Sequence, residues 1–179
     1  MDRFRRFAMI ASLFVLTFLV LCVFAAIRDV ETLTIPNWLN AWIAFLFLPT
    51  CILALPGWGL FSAHLMAGAI ALIISFFLFG FGVFGGGDAK MIPAVMLWVG
   101  PAAAMDFMFG MAVVGGVLAL LVLIARKTMP VPNGPAFGAI VLQESHGIPY
   151  GVAIAAGVFM AAPASPFLTN FLNKIIVFG

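Results

Sequence analysis

A chain of 179 residues that is 65% hydrophobic and only 8% charged, with a mean hydropathy of +1.26, is not a soluble domain; soluble chains carry about 25% charged residues. Its net charge of +2 is too dilute for the dense basic patch that nucleic acid requires, so no nucleic-acid partner is expected. The composition implies an all-α, polytopic integral membrane protein, a single transmembrane domain over residues 1–179 with no soluble module.

The N-terminal Asp2-Arg3-Phe4-Arg5-Arg6 and the apolar run to Ala26 imitate a secretory signal. The run exceeds the ~7–15 residues of a signal's apolar region and further spans follow, so it reads as a retained first helix. About six transmembrane helices are expected, over Phe7–Ile27, Trp38–Leu55, Leu60–Phe81, Ala89–Ala104, Phe107–Ala125 and Ile148–Ala162. The fourth and sixth runs are short against the ~20 residues a crossing needs. The tail Phe167–Phe178 reads as an interfacial helix with Asn170, Asn173 and Lys174 facing out, or as a continuation past Pro163 and Pro166. Cys22 and Cys51 both sit in apolar runs with no CxxC pair, so neither structural zinc nor a disulfide is expected.

The connections divide into two kinds. Pro56–Gly59 and Gly100–Ala102 are tight and uncharged, whereas Arg28–Asn37, Gly82–Asp88 and Arg126–Gly147 carry most of the polarity. Counting crossings places these three on one side of the bilayer, provided helices two to five all cross. Asp29, ending helix one, and Asp88, opening helix four, then lie at matching depth.

A charged Asp beside hydrocarbon costs about 2.5–3.5 kcal/mol on insertion scales, which makes it a functional candidate. Like charges held close share one proton near neutral pH, and such a pair supplies both the base and the acid of aspartic-protease chemistry without metal or cofactor. Gly85, Gly86 and Gly87 fit this reading, since a substrate backbone could approach the acid past them. The plain alternatives are a flexible turn with Asp88 as a helix N-cap, and Asp29 as an interfacial charge offset by Arg28. Of the other acids, Glu31 is wetter, and Asp106 lies past the far end of helix four, about 25 Å away at ~1.5 Å per residue. Glu144 and His146 read as solvated loop groups, with substrate contact as the lesser option.

Three motifs together resemble the prepilin peptidases, membrane-embedded GxGD aspartic proteases. Asp29 is followed by Ile35-Pro36-Asn37; Gly85-Gly86-Gly87-Asp88-Ala89-Lys90 resembles the family's second-acid motif; Ile148-Pro149-Tyr150-Gly151-Val152-Ala153 resembles the motif opening its last helix. The chain looks most like the short form serving tight-adherence (Flp-type) pili. The resemblance implies Asp29 and Asp88 as the catalytic pair, and removal of short basic leader peptides after a glycine from pilin-like precursors. It also implies the bacterial inner membrane, with cutting at the cytoplasmic border. Larger members also methylate the new N-terminus and carry a CxxC-bearing insert. This sequence shows no such insert, so peptidase activity alone is expected.

The flanking residues have their own readings. Pro36 and Asn37 form a rigid turn, with Asn37 able to cap helix two. Lys90 could pair with Asp88, with Glu31 or with lipid phosphate. Tyr150 suits either an interfacial anchor or a hydrogen bond near the site, Pro149 suits the first helical position, and Gly151 belongs with them in a possible substrate region. His64 falls at the opposite membrane face. Thr32–Asn37 and Lys127–Gly147, the latter with Pro130, Pro132, Gly134 and Pro135, are candidate docking loops. Charge does not orient the chain: Arg28, Lys90, Arg126 and Lys127 stand against Arg3, Arg5, Arg6 and Lys174. The rival function is a non-catalytic scaffold or small transporter with a buried carboxylate pair. A presenilin-type protease is disfavoured because Ile-Pro-Tyr-Gly replaces Pro-Ala-Leu and no Tyr-Asp pair exists.

Overall fold

The computed structural model describes residues 2–54, 57–129, 137–143 and 147–178. Among these the regular structure is entirely helical: α1 (Asp2–Thr32), α2 (Asn37–Ala54), α3 (Trp58–Gly80), α4 (Asp88–Val99), α5 (Ala104–Thr128), α6 (Tyr150–Ala161) and α7 (Pro166–Phe178). Short 3-10 turns occupy Pro101–Ala103, Ala139–Leu142 and Ala162–Ala164. The chain is thus a polytopic helical membrane protein, because backbone in hydrocarbon must satisfy its own hydrogen bonds.

Met9–Thr32, Asn37–Ala54, Trp58–Gly80 and Pro101–Thr128 are each long and apolar enough to cross a bilayer. α6 and α7 would supply a fifth crossing together, but they are bent by 78°. The bend falls where Pro163 and Pro166 interrupt the helical ladder. α7 buries Phe167, Leu168 and Phe171 and leaves Asn170 and Asn173 exposed, as an amphipathic tail should. The side chain of Lys174 lies outside the described residues.

The fourth expected span is where fold and sequence reading part most. α4 stops at Val99, because Gly100 takes φ 72° and Pro101 cannot continue the ladder. Its 12 residues rise only ~18 Å, well short of the ~30 Å hydrocarbon. An apolar helix buried on nearly every side is a core element rather than a lipid-facing one. Met91, Val95, Trp98 and Val99 are all fully buried. α4 packs on α2, α3 and α6, and α1 reaches it through Phe18, stacked on Trp98 at 4.4 Å. Trp98 Nε1 donates to the Ile43 carbonyl at 2.8 Å, which ties α4 to α2. At its far end His64 Nδ1 donates to the Leu97 carbonyl at 2.7 Å, satisfying one of the carbonyls a helix end leaves free. His64 and the exposed Asp106 thus mark the end of α4 opposite Asp88.

Candidate active site

The site starts where α1 stops. Leu33 takes φ 49°, a left-handed conformation usually left to glycine, and donates its N–H to the Asp29 carbonyl at 2.8 Å. This turn sends Thr34, Ile35 and Pro36 back across the helix end. The Pro36 carbonyl accepts from the Leu39 and Asn40 N–H groups at 3.0 and 3.4 Å, so Pro36 holds the cap position just ahead of α2. Asn37 is therefore the first residue of α2 and not its cap. Its Oδ1 accepts instead from Lys90 Nζ at 2.7 Å, which pins the start of α2 to the first turn of α4. Lys90 is engaged with Asn37, and among the described residues it forms no salt bridge with Asp88 or Glu31.

Asp29 is buried in the last turn of α1, only 5% exposed. Its Oδ2 accepts the backbone N–H of Gly151 at 2.7 Å. That donor is available because Gly151 is the second residue of α6, among the first four N–H groups that have no partner within the helix. The positive end of the α6 dipole adds to the attraction. Pro149 precedes the helix instead of occupying its first position, and Tyr150 leads it. Arg28 pairs with Glu31 at 3.5 Å on an exposed face, so the expected Arg28–Asp29 offset is not what holds Asp29.

Two glycines make the approach possible. A Cβ on Gly151 would stand 3.0 Å from both Cβ and Oδ2 of Asp29, and 3.1 Å from Cδ1 of Ile35. A Cβ on Gly87 would stand 3.1 Å from Ile35 Cβ and 3.2 Å from its backbone nitrogen. Ile35, 6% exposed, is therefore wedged between the glycine before Asp88 and the glycine bound to Asp29. The three sequence motifs meet at this one side chain.

Asp88 is half-buried and opens α4 as its first residue, with Gly87 ahead of it. The cap position ahead of it is held by Gly87, and the Gly85 backbone lies beside its carboxylate, where it favours the charged form. Burial above all, and then the neighbouring Asp29, push the Asp88 carboxyl up to about 7 against that stabilising contact. Asp29, Leu33, Thr34, Ile35 and the Gly85–Asp88 turn line one cavity of about 200 Å³. Its size admits water and an extended peptide edge.

Two further residues, Asn40 and Arg126, shape the surroundings of the cavity. Asn40, 5% exposed, donates from Nδ2 to the Gly87 carbonyl at 3.1 Å, while its Oδ1 is buried with no partner among the described residues. An amide one turn into an apolar helix, just after a rigid Pro turn, was the available signal. Arg126, read only as a loop cation, donates from Nε to the Val141 carbonyl at 2.9 Å and from Nη2 to that of Gly147 at 3.0 Å. It thereby fastens the segment leading into α6. Tyr150 packs its ring over Gly115 of α5, where a Cβ would lie 3.3 Å from Cε1. Glu144, His146 and the Pro130–Pro135 part of the candidate docking loop lie outside the described residues.

A helical membrane protein thus brings a buried and a half-buried carboxylate from two helices to one small cavity. The family model of the type IV leader peptidase family matches residues 16–120, a stretch holding Asp29, Ile35–Asn37 and Gly85–Lys90. The chain belongs to this family and is a membrane peptidase. No curated protein and no solved structure matches it.

Proposed function

We propose that this protein is an aspartic endopeptidase, one transmembrane unit over residues 1–179, that removes the leader peptide of prepilins of the Flp type. Asp29 and Asp88 are its catalytic pair, acting at the cytoplasmic border of the bacterial inner membrane. The observation that carries the proposal is the convergence of these two acids on one cavity floored by Gly85, Gly86 and Gly87. The Flp-type substrate rests on the resemblance of the three motifs.

The chemistry divides between the acids by their surroundings. Asp88, pushed up to about 7, holds the shared proton near neutral pH and donates it to the scissile carbonyl oxygen. Asp29, held by the Gly151 N–H, takes a proton from a water whose oxygen bonds to the carbonyl carbon. As the tetrahedral adduct collapses, the C–N bond breaks, the leaving nitrogen accepts the proton from Asp29, and the hydroxyl proton returns to Asp88. Water and one peptide enter; an acid and an amine leave, and the pair regains its single proton. The helix-terminal amide fixes Asp29, and the side-chain-free turn leaves room for an extended backbone. Lys90, Asn37, Pro36 and Ile35 act as the support that holds the Asp88 turn in register.

Co-expression with an Flp-type prepilin tests this reading. Wild-type protein is expected to shift the precursor to its mature size, and Asp29→Asn and Asp88→Asn to leave it uncut while remaining in the membrane. Complete maturation by either variant would remove that acid from the mechanism.

A further inference from the structure

A second cleft, separate from the carboxylate cavity, encloses about 310 Å³ between α3, α4 and α5. Its α3 wall is formed at Ala67, Ala71, Ser75 and Leu78, positions three and four apart that make one straight stripe along the helix. The stripe from 67 to 78 rises about 16 Å at ~1.5 Å per residue. Ala104, Met108 and Met111 form a matching stripe on α5, and Ile92 and Met96 of the short helix α4 make the floor. The slot exists because α3 packs on α4 and makes no extensive contact with α5. Its lining is apolar apart from Ser75, a residue only 2% exposed. At one end the cleft reaches Phe84, the residue bonded to Gly85 of the carboxylate cavity.

We propose that this cleft seats an apolar helix of the substrate, the segment adjoining the bond that is cut. The proposal rests on the peptidase reading above and specifies where the membrane-bound part of the substrate lies. A polypeptide that enters hydrocarbon must be helical, since its backbone has no other partners there. Two parallel stripes at helical spacing make a straight trough of the shape one helix fills. Small side chains at Ala67, Ala71 and Ala104 let a backbone come close, and the Ser75 hydroxyl in the same wall is of the kind that bonds across helices in membranes. A helix in the trough ends beside Phe84, and its extended continuation passes over Gly85 and Gly86 to the two acids. Another large cleft, about 410 Å³ between α2, α3 and α4, is lined by Asn40, Lys90 and Leu72 and runs along the opposite side of α3.

Disulfide trapping in native membranes tests the seat. In a background with Cys22 and Cys51 replaced by Ala, single cysteines are placed at Ile74 and Met108, both exposed in the cleft, and at Leu72 as the opposite-face control. Each is oxidised with a leader-bearing precursor carrying one cysteine in its apolar segment, with Asp88→Asn added to prevent turnover. Ile74→Cys and Met108→Cys are expected to give the crosslinked species and Leu72→Cys to give none. Crosslinking at Leu72 alone would overturn the assignment. So would no crosslink at any position while the background with both carboxylates still cleaves the precursor; the cleft is then filled by lipid. If that background fails to cleave although the unmodified protein also fails, the peptidase reading itself falls, and the substrate seat with it.

Discussion

Replacing Gly151 with Ala probes the contact that holds Asp29. The added methyl would sit 3.0 Å from the Asp29 carboxylate oxygen and 3.1 Å from Ile35 Cδ1, too close on both sides to be absorbed by one rotamer change. Overpacking of this kind costs about 1–3 kcal/mol. If Asp29 moves to relieve it, the 2.7 Å bond from the Gly151 N–H is stretched as well, and a hydrogen bond to a charged group contributes about 1.5–3 kcal/mol. A loss of that order in the transition state lowers cleavage about 10–100-fold, at 1.36 kcal/mol per factor of ten. The assay is leader removal by protein reconstituted in vesicles, with melting followed in parallel. Gly116→Ala is the control, since a Cβ there meets nothing within 4 Å and Gly to Ala inside a helix gains about 0.5–1 kcal/mol. Gly151→Ala with wild-type cleavage and wild-type melting would refute the close approach and the role given to it.

Two further predictions concern stability and positioning. Because the Asp88 carboxyl is raised to about 7 in the fold, its protonated form is the one the fold favours. Its contribution to stability is complete below the ordinary carboxylate range, near 4, and is lost as pH rises through about 7. Asp88→Asn, which stays neutral, is therefore expected to match wild-type melting near pH 4 and to exceed it increasingly towards pH 8; a pH-independent difference would contradict the burial argument. Asn40→Leu removes one hydrogen bond to the Gly87 carbonyl, worth about 0.5–1.5 kcal/mol, and also removes a buried acceptor whose lack of a partner costs about 1–3 kcal/mol. Melting is expected not to fall while cleavage does, because the Gly87–Asp88 turn loses its tether to α2; unchanged cleavage would leave Asn40 a packing residue only.

The bundle was legible because its signal is local: apolar runs of crossing length, broken by Gly, Pro and charge. Asp29 and Asp88 were legible for the same reason, since an acid beside hydrocarbon is costly enough to stand out. What the sequence could not show depends on distant partners. A 12-residue apolar helix reads alike whether lipid or protein surrounds it, so nothing local marked α4 as a core helix. Ile35 looked like one more apolar residue, yet its position between Gly87 and Gly151 is what joins the three motifs. Asn37 has the chemistry of a cap, but Pro36 holds that position and the Asn37 oxygen is taken by Lys90, 53 positions further on. Leu33 gave no hint of a left-handed turn, a conformation its side chain disfavours and which only the returning Ile35-Pro36 segment enforces.

The central claim is that the two acids work as one unit sharing a proton, and the pH dependence of leader cleavage under single-turnover conditions tests it most directly. For the wild-type protein the account predicts a bell: the alkaline limb falls near pH 7 as Asp88 loses its proton, and the acid limb falls as the pair takes up a second one. Asp29→Asn and Asp88→Asn should each show no limb at all, because neither retains turnover. A flat profile for the wild-type protein, or a bell that survives intact in either variant, would contradict the shared-proton mechanism.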